Sequence, residues 1–109
     1  MNEAVEADET ASFICGATGT DPLNFTWWRS TSDGVPMQLV QDTSGTPGIS
    51  VVDINANRAA VAILNVPPSY DGSTFFCNVS NIVDTVMSDT ATLTVESKYA
   101  ITYLFLQYV

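Results

Sequence analysis

The chain has 109 residues, room for one small domain, and its 46% hydrophobic content is too high for a disordered segment. Three Lys+Arg against 12 Asp+Glu give a formal net charge of -9, which repels phosphate backbones, so no nucleic-acid partner is expected. The absence of histidine removes imidazole bases, histidine-containing triads and histidine metal sites.

In chain order, residues 1–9 offer neither a basic start nor an apolar run, so they do not read as a signal peptide. Their acids, Glu3, Glu6, Asp8 and Glu9, read as a solvated arm able to steer a basic partner. Helical periodicity is nearly absent beyond this point. Runs of β-formers instead occupy 10–16, 24–29, 37–41, 49–54, 59–66, 74–80 and 90–96. Turn-rich clusters at 17–22, 30–36, 42–48 and 67–73 separate them. This density of short strands predicts two packed sheets.

Alternation assigns the faces, because successive side chains of a strand point to opposite sides. Phe13 and Cys15 share one face, as do Phe25 and Trp27, which leaves Thr26 and Trp28 outward. Val61 and Ile63 point in, with Val66 near the strand end. Phe75, Cys77 and Val79 point in while Phe76, Asn78 and Ser80 point out; Ala91, Leu93 and Val95 point in.

Cys15 and Cys77 stand 62 residues apart with no clustered metal-ligand types around them. The spacing alone leaves a disulfide and two separate buried thiols equally open. That both cysteines fall on inward faces favours the disulfide, whose loop closure is worth about 4 kcal/mol in the chain-entropy description. Such a bridge belongs to an oxidising compartment. A domain of that kind without an export signal is expected to be a fragment of a longer protein.

Four groups of residues resemble an immunoglobulin-like domain. Trp27-Trp28-Arg29, twelve residues after Cys15, is similar to the third-strand pattern of that family. Asp71-Gly72-Ser73-Thr74-Phe75-Phe76-Cys77 resembles its D-x-G-x-Y-x-C block, Val61-x-Ile63-x-x-Val66 the strand before it, and Ala91-x-Leu93-x-Val95 its last strand. The resemblance implies an all-β, two-sheet antiparallel Greek-key sandwich over residues 1–97. It also implies one inter-sheet disulfide, Cys15–Cys77, and a core signature of Trp27, Val61, Ile63, Asp71, Phe75 and Leu93. The family's corner tyrosine is replaced by Phe75, so a stiff turn at Pro67-Pro68 is expected in place of its hydroxyl tether, with Tyr70 as a substitute hydroxyl. Both the intermediate and the variable type of domain remain open, and with only nine residues before the first clear run the family's opening strand is expected to be short or truncated.

Trp28 and Phe76 face outward on neighbouring strands and are candidate partner-binding residues, unless Met37 or Leu39 covers them. The segment 81–89 either extends a hairpin or presents Ile82, Val83, Val86 and Met87 to a partner. Asn24-Phe25-Thr26 and Asn78-Val79-Ser80 are glycosylation acceptors on the same outward face. Residues 53–57 begin like a calcium loop, but Arg58 and Leu64 replace the required glycine and acid, so a polar turn and no metal are expected. Residues 98–109 form an apolar tail: an extra strand, a truncated membrane segment or a non-native extension.

The resemblance implies an extracellular protein-recognition or cell-adhesion module of a receptor or adhesion protein. Its partner would be another protein, a second copy included, and it would need no cofactor. The alternative is a passive spacer domain in a multi-domain extracellular chain. Nothing brings two of the acids together for acid–base work, so no enzyme is expected. Membrane contact would come only through a parent chain or the tail.

Overall fold

The computed structural model describes residues 2–31 and 33–96, so the expectations for the tail 98–109 lie outside the described residues. The described strands are β1 (Glu3–Glu6), β2 (Ala11–Gly16), β3 (Asn24–Ser30), β4 (Pro36–Leu39), β5 (Gly48–Asn55), β6 (Arg58–Leu64), β7 (Thr74–Ser80), β8 (Thr85–Met87) and β9 (Ala91–Glu96). One sheet runs in the order β1-β9-β7-β3-β4, with β8 also on β7, and the other in the order β2-β6-β5. Every run expected from alternation is a strand, and the two-sheet all-β architecture holds.

The acidic N-terminal segment differs from the solvated arm read from its composition. β1 pairs in parallel with β9, from Glu3 opposite Leu93 to Glu6 opposite Glu96. Glu3 and Val5 are half-buried while Ala4 and Glu6 are exposed, so even this short acidic strand alternates. The segment then straps the two sheets together. Ala7 N–H donates to the Glu96 carbonyl (2.8 Å), Asp8 N–H to Val66 (2.8 Å), and Val66 N–H to Glu9 (2.9 Å).

The core gathers Phe13, Cys15, Trp27, Val61, Ile63, Val66, Phe75, Cys77 and Leu93, with Phe25, Leu39, Val79 and Val95 packed around it. The Phe13 and Phe75 rings stack at 4.8 Å across the sheets. Cys15 on β2 is bonded to Cys77 on β7, so the disulfide joins one sheet to the other. Asp71 is the exception in the signature set: it is exposed, and its carboxylate accepts from Val95 N–H at 2.9 Å.

Among the described residues, the corner between β6 and β7 is closed without a tyrosine hydroxyl. Pro68–Tyr70 forms a single 3₁₀ turn, and Ser73 N–H donates to the Tyr70 carbonyl at 3.0 Å. Gly72, at φ 80°, turns the chain so that its N–H reaches Leu93, while Leu93 N–H reaches Ser73, each at 2.9 Å. Arg29 then locks the corner from β3. Its Nε donates to the buried Ser73 Oγ at 3.0 Å, and its guanidinium lies 3.7 Å above the Tyr70 ring. Tyr70 thus contributes its ring face, where a hydroxyl was the expectation.

Candidate recognition face

The outward face of β3 and β7 is built by register. Asn24, Thr26, Trp28 and Ser30 stand opposite Ser80, Asn78, Phe76 and Thr74 respectively, and paired residues share a face. Trp28 and Phe76 are therefore direct cross-strand neighbours, their rings parallel within 6° at a centroid separation of 6.3 Å. Trp28 Nε1 donates to Thr26 Oγ1 at 3.0 Å, which fixes the indole along its own strand. Both aromatic residues are half-buried.

β4 does not cover them. Leu39 stands opposite Trp27 and Met37 opposite Arg29, so neither shares the face of Trp28; Gln38 is the residue beside it. On the other flank Met87 stands opposite Asn78 and joins the same face, 60% exposed. The patch is thus an aromatic pair bordered by Gln38, Thr26, Asn78 and Met87.

The segment after β7 forms a hairpin with β8 and does not hang free. Asn81 shapes its turn: Oδ1 accepts from Val83 N–H (2.8 Å) and Asp84 N–H (2.9 Å). Asn81 Nδ2 reaches the Thr20 carbonyl at 3.1 Å and ties the hairpin to the loop before β3. Ile82 and Val83 stand at the tip, 90% and 75% exposed. Val86 separates from Met87, because it pairs with Val79 and turns to the other side of the sheet. There it lines an apolar cleft of about 390 Å³ with Leu23, Val79 and Val83. The four candidates in this segment therefore form two surfaces, not one.

Gln38 is the neighbour that the sequence left out. Its place beside Trp28 depends on the register set by the turn after β3, and no residue pattern within either strand fixes that register.

Residues 53–57 end β5 and turn into β6, where Asn55 Oδ1 accepts from Asn57 N–H at 2.8 Å, an Asx turn. Among the described residues no group of three His, Cys, Asp or Glu side chains comes together to hold a metal ion. Nor is any described helix long and apolar enough to cross a membrane.

Two exposed aspartates organise turns. Asp33 is held below the usual carboxylate range by the Thr31 hydroxyl and then by Val35 N–H. Asp42 is lowered by the Ser44 hydroxyl (2.7 Å) and backbone N–H (3.1 Å).

No protein-family model and no curated protein sequence matches this chain. Among solved structures, one described as an anomalous substructure of Titin-A168169 superposes with a TM-score of 0.71 at 22% sequence identity. The match covers 88% of this chain and 44% of that one, so the chain spans less than half the length of the titin structure. As many as 1184 solved chains match, so the likeness speaks for architecture and not for a role. The chain folds as an immunoglobulin-like sandwich of two sheets, linked through Cys15–Cys77.

Proposed function

We propose that the chain is an extracellular recognition domain of a longer receptor or adhesion protein, binding another protein through the outward face of β3 and β7 and the tip of the β7–β8 hairpin. The observation that carries this reading is the stacked Trp28–Phe76 pair on a sheet face over which no described element packs. Aromatic anchors inside a ring of polar residues are the usual energetic centre of protein interfaces. Here Gln38, Thr26 and Asn78 supply that ring, and Met87 extends the apolar area. The net charge of -9 favours a basic partner surface. The inter-sheet disulfide supports an oxidising, extracellular setting. Among the described residues β4 is the one strand between β3 and the crossing to β5, which supports the intermediate type over the variable type.

The test is binding of the multimerised domain to cells, with self-association followed by sedimentation equilibrium for the case of a second copy. Trp28→Ala and Phe76→Ala each weaken binding by about 30-fold, the size of a hot-spot loss. Binding unchanged by both substitutions overturns the reading. The spacer reading draws support from the titin match, in which a domain of this shape lies within a longer chain. It requires that neither substitution alter any association.

A further inference from the structure

The two glycosylation acceptors sit side by side. Asn24 of Asn24-Phe25-Thr26 stands opposite Ser80, and Asn78 of Asn78-Val79-Ser80 opposite Thr26, so the two sequons run in opposite directions across one face. Asparagine is poorly suited to strands. Among the described residues neither asparagine side chain makes a hydrogen bond, so the fold gains nothing evident from having them there. Their surroundings differ. Asn24 is exposed and is the first residue of β3. Asn78 is half-buried within β7, between Thr26 and Met87 and two residues from Phe76 on the same face.

We propose that Asn24 carries an N-linked glycan and that Asn78 stays unmodified. The proposal rests on the extracellular reading above. In the reaction, the Asn24 amide nitrogen attacks the anomeric carbon of an oligosaccharide held on a lipid pyrophosphate. A carbon–nitrogen bond forms as the carbon–oxygen bond to the pyrophosphate breaks; the amide loses one proton and the lipid pyrophosphate leaves, with no change of oxidation state. The transferase acts on a chain that is still folding, so it reaches most readily a site that folding leaves exposed, and Asn24 is exposed where Asn78 is half-buried. A glycan on Asn24 stands at the end of the sheet face, four residues from Trp28, about 13 Å along the strand. A glycan on Asn78 would lie across Phe76 and Met87.

The experiment directs residues 1–109 into the secretory route of eukaryotic cells with an added signal peptide. Intact mass and glycopeptide maps are read in medium and lysate, before and after glycosidase. One glycan is expected, lost in Asn24→Gln and kept in Asn78→Gln; thermal unfolding checks that the exposed Asn24→Gln change leaves the fold intact. A glycan on Asn78, or none on the unsubstituted chain, overturns the proposal. This readout is independent of partner binding, so a failed recognition face and a failed glycan site are told apart.

Discussion

The corner locked by Arg29 offers a direct test of how this sandwich dispenses with a tyrosine hydroxyl. Arg29→Met keeps the aliphatic stem but removes the bond to Ser73 Oγ (3.0 Å) and the cation above Tyr70 (3.7 Å). A hydrogen bond from a charged group is worth about 1.5–3 kcal/mol, and a partly buried cation–π contact about 1 kcal/mol. Arg29→Met therefore costs about 3 kcal/mol. Tyr70→Leu keeps apolar bulk and loses the ring face, at about 1–2 kcal/mol. The cation–π contact is counted in both single variants and lost once in the double variant, so the double costs about 1 kcal/mol less than the sum. Urea unfolding of the oxidised protein, with the slope m unchanged between variants, measures this coupling. Coupling within about 0.3 kcal/mol of zero refutes the account of the corner, because independent sites add to that accuracy.

Other outcomes follow from the same structure. Replacing both Cys15 and Cys77 by alanine lowers unfolding free energy by about 4 kcal/mol, from a closed loop of 62 residues; a loss below about 1 kcal/mol would show that the bridge barely restrains the unfolded chain. Gly72→Ala meets no neighbour within 4 Å, so its cost of about 1 kcal/mol comes only from forcing alanine to φ 80°; an unchanged denaturation midpoint contradicts that. Phe75→Ala removes a buried ring stacked on Phe13 and costs about 3–5 kcal/mol, read by thermal or urea unfolding. For Asp33 and Asp42, a folded-state pKa below the unfolded one means the contribution is present above the ordinary carboxylate range and is lost as pH falls through the folded value. Carboxyl carbon titrations should give both midpoints below that of aspartate in an unstructured peptide, and a midpoint at or above it refutes the turn assignment.

Much of the fold was legible because alternation is strict where a strand has one buried face. Ala11 to Gly16 shows this: inward Phe13 and Cys15 are buried, and outward Ser12 and Ile14 are exposed. A short first strand was expected from the nine residues before the first clear run, but its place was not legible, because Glu3 to Glu6 holds one strong β-former among acids and its parallel pairing with β9 depends on residues about 90 positions away. Composition suggested solvation there, while backbone hydrogen bonds along a sheet edge decided the outcome. Within the candidate face, the outward direction of Trp28 and Phe76 is readable from their own strands. The exclusion of Leu39 from that face is not, since a one-residue change in the β3–β4 turn would exchange Leu39 and Gln38. The same holds for the hairpin: alternation separates Val86 from Met87, but only the pairing with β7 says which faces the aromatic pair. At the corner, sequence pointed to Tyr70, yet nothing in its spacing foretold that Arg29 would seek its ring.

The most direct test of the proposed recognition face is site-specific photo-crosslinking with the multimerised domain on living cells. A photo-reactive residue replaces Gln38, beside Trp28, and in a second version replaces Val52, exposed on the opposite sheet. The account predicts a discrete crosslinked protein from position 38, absent from position 52 and abolished by Trp28→Ala. Equal crosslinking from both positions, or a product at position 38 that survives Trp28→Ala, would contradict it.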